Sequence, residues 1–122
     1  KVIAVDVQEG MLEIVKQKLS VSPLKERVHL FKNQPQSLGF TEKVDFILAF
    51  YSFHEMKYMD HIIQALKAVA KTNTKILISE QKIHVPKEMF ESIVSRMINN
   101  GFYVCQRPKI FFSRSVVMEI GE

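Results

Sequence analysis

The chain has a single cysteine, Cys105, so no disulfide can close within it. With no Cys-x-x-Cys pair, thiolate metal clusters are also excluded, and a reducing, cytoplasmic setting fits. Long hydrophobic runs are missing too. The longest, Phe46 to Phe53, is interrupted by Tyr51 and Ser52. It falls far short of the ~20 apolar residues that a membrane-spanning helix needs. No signal peptide is legible, and no membrane association is expected. Charge of neither sign forms a run of five. Lys and Arg number 17 against 13 Asp and Glu, a formal net charge of +4 that is scattered along the chain. Scatter of this kind reads as a solvated surface, and it lacks the basic stripe of a nucleic-acid groove. There is no internal repeat and no low-complexity segment.

A length of 122 residues suits one domain, and 47% hydrophobic with 25% charged residues is ordinary for a globular protein. Val2 to Val7 is a nearly continuous apolar run of the kind that buried parallel strands show. Met11, Leu12, Val15 and Leu19 then share one helical face, and Ser20 to Pro23 breaks it. Arg27 to Lys32 reads as a short strand, and Asn33 to Phe40, with Pro35 and Gly39, as a loop. Val44 to Phe50 is a second strong strand. A polar and aromatic segment, Tyr51 to Tyr58, leads into a helix with the stripe Met59, Ile62, Ile63, Leu66, Val69 and Ala70. Thr72 to Thr74 is expected to end that helix, with Asn73 left-handed in place of glycine. Lys75 to Glu80 is a third strong strand. Pro86 suits the first turn of a further helix. Its expected buried stripe is Phe90, Ile93, Val94, Met97 and Ile98, and Asn100-Gly101 closes it. Phe102 to Arg107 and Phe112 to Ile120 finish the chain as strands, with a bend at Pro108.

Strands alternating with helices predict an α/β layer fold with a mainly parallel sheet. The final two strands are too closely spaced for a helical crossover, so they should pair antiparallel.

In such sheets ligands gather at the carboxyl ends of the strands. Asp6 closes the first strand. A carboxylate there can accept both hydroxyls of a ribose, and it can equally cap the following helix. Tyr51, Ser52, His54 and Glu55 follow the Val44 strand, and Glu80 closes the Lys75 strand with His84 beyond it. His54 can serve as a general base or be satisfied by backbone. His54 and Glu55 are adjacent, so their spacing does not make a metal pair. A cluster of His54, Glu80 and His84 is the one metal arrangement the order permits, and no metal is expected.

These segments together resemble the class I S-adenosylmethionine-dependent methyltransferases, in particular the small-molecule type 11/25 branch. Val2-Ile-Ala-Val-Asp6-Val-Gln-Glu-Gly-Met11-Leu is similar to that superfamily's second strand, acidic ribose ligand and following helix. Asn33 to Phe40 matches the stretch before its fourth strand. Val44-Asp45-Phe-Ile-Leu-Ala-Phe-Tyr-Ser-Phe-His54-Glu55 resembles the fourth strand and the loop after it. Leu66 to Glu80 resembles the next helix and strand, with Lys71-Thr-Asn-Thr replacing the usual glycine turn. Glu80, His84-Val85 and Ser113-Arg114 also recur in the branch.

The resemblance implies a Rossmann-like methyltransferase fold, a three-layer α/β/α arrangement over a single partial domain, residues 1–122. It implies S-adenosylmethionine as cofactor and a small-molecule methyl acceptor as partner. Asp6, Val7, Met11, Gln34, Pro35, Phe50 and Tyr51 are then the expected cofactor contacts, and His54 the expected proton acceptor. Two departures stand out. The superfamily's first strand and Gly-x-Gly-x-Gly loop would precede Lys1, so the chain is expected to be an N-terminally truncated fragment or to continue upstream. Gln34-Pro35 stands where an Asp usually meets the adenine, and Pro35 has no N–H to offer. The alternative function is a degenerate, non-catalytic binding module that forms a homodimer through exposed strand edges. A nicotinamide-dependent Rossmann enzyme and an RNA-modifying enzyme fit the motifs less well.

Overall fold

The strand that organises the larger part of the molecule is the sixth element in chain order. In a computed structural model the order is β1 (Val2–Asp6), α1 (Glu9–Leu19), β2 (Val28–Lys32), β3 (Val44–Phe50), α2 (Met59–Val69), β4 (Ala70–Gln81), α3 (Lys87–Asn99), β5 (Phe102–Gln106) and β6 (Ser113–Ile120). The structure describes residues 1–50, 53 and 56–121. These fall into two compact units, divided after Gly39.

In the first unit β1 and β2 pair in parallel, from Val2 beside Val28 to Asp6 beside Lys32. The connection between them is α1, as a parallel pair requires. The apolar face expected of α1 is present, but none of its residues is buried. Helical periodicity specifies a face, and burial needs a partner for that face. Gly39 has a φ of +82°, and a Cβ there would come within 2.9 Å of the Phe31 ring. Glycine is therefore required at this turn for both backbone and space.

The second unit is a four-stranded sheet in the order β3-β4-β6-β5. β3 and β4 run parallel, while β6 pairs antiparallel with both β4 and β5. The last two strands are thus the antiparallel pair that their spacing predicts. Ile76 and Ile78 lie opposite Met118 and Val116, and all four are fully buried. The apolar stripes of α2 (Ile62, Ile63, Leu66 and Val69) and α3 (Phe90, Ile93, Val94 and Met97) complete this core. Ile98, expected in the α3 stripe, is 49% exposed, because at ~100° per residue it falls outside the buried arc, on the Val94 side. Gly101, at φ +97°, closes α3 with its N–H on the Ile98 carbonyl.

The other sheet face is different. Phe46, Leu48 and Phe50 alternate along β3, and they are 55, 58 and 45% exposed. This alternation with buried Ala49 marks β3 as covered on one side only.

The break expected at Thr72 to Thr74 takes another form. Helix α2 stops at Val69, and β4 already begins at Ala70. Asn73 is not left-handed; Phe112 is the only non-glycine residue with positive φ among the described residues. Instead the β3–β4 register slips, since Ala70 pairs with Val44 and Lys75 with Phe46. The fully buried Thr74 hydroxyl holds the slip together. It accepts the Lys71 N–H at 2.7 Å and donates to the Val44 carbonyl at 2.6 Å.

Ion pairs decorate the far end of this sheet. Lys71 bonds Asp45 and holds its carboxyl below the ordinary range. Lys75 and then the Tyr103 hydroxyl do the same for Glu119.

The two faces of the sheet predict unequal responses to truncation. Ile78→Ala should cost ~2–5 kcal/mol, the range for a buried aliphatic side chain. Leu48→Ala should stay within ~0.5 kcal/mol. Urea unfolding of the two variants checks this.

Candidate functional site

The carboxyl ends of β1 and β2 form the first cluster. Asp6 ends β1 half-buried, and its Oδ1 accepts the Gln8 N–H at 2.8 Å. That bond fixes the entry to α1, whose own N-cap residue, Gln8, makes no side-chain cap. Oδ2 has no protein partner among the described residues. One carboxylate oxygen is therefore structural, and the other can take a hydroxyl donor.

Beside Asp6 the chain leaves β2 through Asn33. The Asn33 N–H donates to the Asp6 carbonyl at 3.1 Å. Its side chain, 8% exposed, donates to the Gln34 carbonyl at 2.9 Å and the Ser37 carbonyl at 3.2 Å. Gln34 to Ser37 is consequently a tight turn, closed by the Ser37 N–H on the Gln34 carbonyl at 3.1 Å. Pro35 occupies the second position, where its fixed φ is favourable. Gln34 and Pro35 are exposed, as are Val7 and Met11. Sequence reasoning picked the turn residues and missed the one that shapes them. The available signal was an Asn two residues before a Pro, a side chain suited to bonding turn backbone.

The second cluster lies at the carboxyl ends of β3 and β4. Phe50 ends β3, partly exposed. Tyr51, Ser52, His54 and Glu55 lie outside the described residues, so the expected roles of Tyr51 and His54 have no geometry attached. Phe53 is described and fully buried. Its N–H donates to Glu80 Oε1 at 2.8 Å. Glu80 is itself fully buried, on the core face of β4. In the β4–β6 ladder it stands opposite Arg114, whose Nε donates to the Val85 carbonyl at 3.0 Å. A buried carboxylate thus fastens the segment after β3 to the end of β4, and an arginine on the adjoining strand fastens the segment after β4. His84 is exposed, and no group of three metal-ligating side chains occurs among the described residues. No helix of the described residues is long and apolar enough to cross a membrane.

The sequence profile of a methyltransferase domain matches residues 1–78. The chain belongs to the methyltransferase domain family.

Solved structures agree on the Rossmann-like methyltransferase fold. An S-adenosylmethionine-dependent methyltransferase from Aquifex aeolicus shares 25% identity at a TM-score of 0.85, over 98% of this chain and 69% of that one. A type 11 methyltransferase structure from Sulfolobus solfataricus shares 20% at 0.74, over 100% of this chain and 72% of that one. The glycopeptide N-methyltransferase MtfA, complexed with S-adenosylmethionine, shares 9% at 0.81, over 97% and 76%. At these last two identities the likeness concerns the fold. No curated protein sequence matches the chain.

S-adenosylmethionine is the methyl donor this methyltransferase assignment carries. The first unit has groups that suit its nucleoside end. They are a half-buried carboxylate with one oxygen unclaimed by the described residues and, next to it, a turn locked by a buried amide.

Glu80→Ala removes the acceptor from the buried Phe53 N–H and should lower stability by ~1–3 kcal/mol, the cost of an unsatisfied buried donor. Glu80→Gln keeps an oxygen in place and should cost clearly less. Equal losses in denaturant unfolding would show that charge, rather than the bond to Phe53, is what matters.

Proposed function

We propose that the chain transfers the methyl group of S-adenosylmethionine to a small-molecule acceptor. The observation that carries the reading is Asp6: a strand-end carboxylate with one oxygen committed to the fold and one left over, beside a turn locked by a buried amide. The family match runs from residue 1 to 78 and so crosses the division after Gly39. That supports treating the two units as parts of one methyltransferase domain.

When bound, S-adenosylmethionine would supply a methyl carbon activated by its sulfonium, with the thioether as leaving group. Asp6 accepts the ribose hydroxyls, a pairing in which a charged acceptor makes the stronger bonds. The Gln34 amide oxygen accepts from the adenine amino group. Pro35, lacking an N–H, offers only a flat apolar edge. Val7 and Met11 give apolar contact beside Asp6. Phe50 and Tyr51 line the transfer position, where aromatic faces favour a cationic centre. The His54 imidazole takes the proton that the acceptor loses. Glu80 holds the Phe53 backbone at the carboxyl end of β4. Catalysis of this kind is chiefly alignment of two partners, so a well-anchored segment matters more than a long roster of reactive side chains.

A second reading has one observation in its favour. β3 is an edge strand of its sheet and carries three exposed apolar side chains. A chain that pairs through this edge into a homodimer and binds no donor would be a non-catalytic module. Light scattering combined with a donor titration separates the two readings, since a monomer that binds donor fits only the first.

Asp6→Ala should weaken S-adenosylmethionine binding by ~1–3 kcal/mol, the value of hydrogen bonds to a charged group. Titration calorimetry reads this directly, and unchanged affinity would remove Asp6 from the donor site.

A further inference from the structure

The loop between β5 and β6 spends conformational freedom to display two aromatic rings. Ile110 to Ser113 is a turn closed by the Ser113 N–H on the Ile110 carbonyl at 3.0 Å. Its third position is Phe112, at φ +54°. A positive φ at that position is the usual place for glycine, and for a bulky side chain it is strained. The strain is held in place from three sides. The Lys82 N–H donates to the Phe112 carbonyl at 2.9 Å, and the Ser113 hydroxyl donates to the Phe111 carbonyl at 3.1 Å. Gln81 pairs with Ser113 in the β4–β6 ladder. The rings gain nothing from burial, because Phe111 is 82% and Phe112 69% exposed. They pack against each other with centroids 4.0 Å apart and their planes tilted by 41°. Strain that persists while its side chain stays in solvent marks a functional position rather than a packing one.

The two rings form one wall of a shallow open groove that Lys82, Pro108, Lys109 and Ile110 also line. The charged side chains on this lining are both lysines. The place of the groove is also informative. Lys82 directly follows β4, so the groove lies at the carboxyl end of that strand, the end that carries Glu80.

We infer that this groove binds the methyl acceptor, and that the acceptor is a flat apolar molecule bearing an anionic group. The apolar body lies on the Phe111–Phe112 wall, and the anion meets the ammonium groups of Lys82 and Lys109. The role as acceptor site rests on the methyl-transfer reading; the binding chemistry does not.

The test uses the full chain with two fluorescent probes of equal shape, 2-naphthoate and 2-naphthylmethanol, followed by anisotropy. Naphthoate should bind at least about tenfold more tightly than the alcohol. The double substitution Lys82→Glu and Lys109→Glu should abolish that preference. Phe112→Gly suits the turn's backbone, so it should leave thermal stability unchanged or raise it while both probes lose about tenfold or more in affinity. Equal affinity for acid and alcohol would overturn the inference. So would a Phe112→Gly variant that binds as before, or one that loses stability in step with binding. Co-sedimentation with phosphatidylglycerol vesicles, lost in the same variants while naphthoate fails to bind, would assign the patch to a membrane surface instead. S-adenosylmethionine affinity, measured on the same variants, reports separately on the donor site. It should not change, and a parallel loss of donor would remove the groove from the role of a distinct acceptor site.

Discussion

A fully buried carboxylate holds the working end of the second unit together. Glu80 sits where β4 ends, in a core otherwise built from Ile76, Ile78, Val116 and Met118. Burying such a group is costly unless it is bonded, and here it accepts the Phe53 N–H. The same bond satisfies a backbone donor that has also been withdrawn from water. Each partner therefore makes the burial of the other tolerable. Phe50 is held by the β3 ladder and Phe53 by this bond. Arg114, on the adjoining strand, bonds the Val85 carbonyl and secures the next segment along. Parallel strands bring several chain segments to one edge; these two bonds hold Phe53 and Val85 there.

The first unit solves the same problem with neutral groups. Asn33 is the buried polar residue there, and its amide spans two carbonyls of the turn around Pro35. Asp6 serves the fold with one oxygen, and the other has no partner among the described residues. In both units the residue that shapes the site is buried and hydrogen-bonded, while Val7, Met11, Gln34, Pro35 and Phe50, proposed to touch ligand, are exposed. This division is what preorganisation requires, because a ligand gains little from groups it must itself immobilise.

Much of the fold was legible because near-continuous runs of β-branched and other apolar residues mark strands. The runs at Val2, Val44 and Lys75 are strands, and the close spacing of the last two segments made them antiparallel. What failed did so for local reasons. Asn73 was assigned a left-handed cap, but the Thr74 hydroxyl bonds backbone on both sides and absorbs the irregularity within β4. Ile98 lies just beyond the arc that faces the core. The periodicity of α1 is genuine, yet no residue of it is buried. Of the candidate site, Asp6 and the turn at Gln34-Pro35 were found by position and resemblance. Glu80 stands out in the sequence as a strand-end acid, a metal candidate and part of a recurring motif, but nothing in the letter Glu distinguishes an exposed strand-end acid from a buried clamp. The strained Phe112 was invisible, because positive φ at a phenylalanine follows from the bonds of the surrounding loop.

The central claim is that donor and acceptor chemistry belongs to the carboxyl ends of the strands in both units. Amide hydrogen exchange with and without S-adenosylhomocysteine, read residue by residue, tests it most directly. The account predicts added protection at residues 6–8, at the Gln34–Ser37 turn and at Phe53, with no change at Val2, Val28, Val44 or Glu119. Protection confined to those opposite strand ends, or none at saturating ligand, would contradict it.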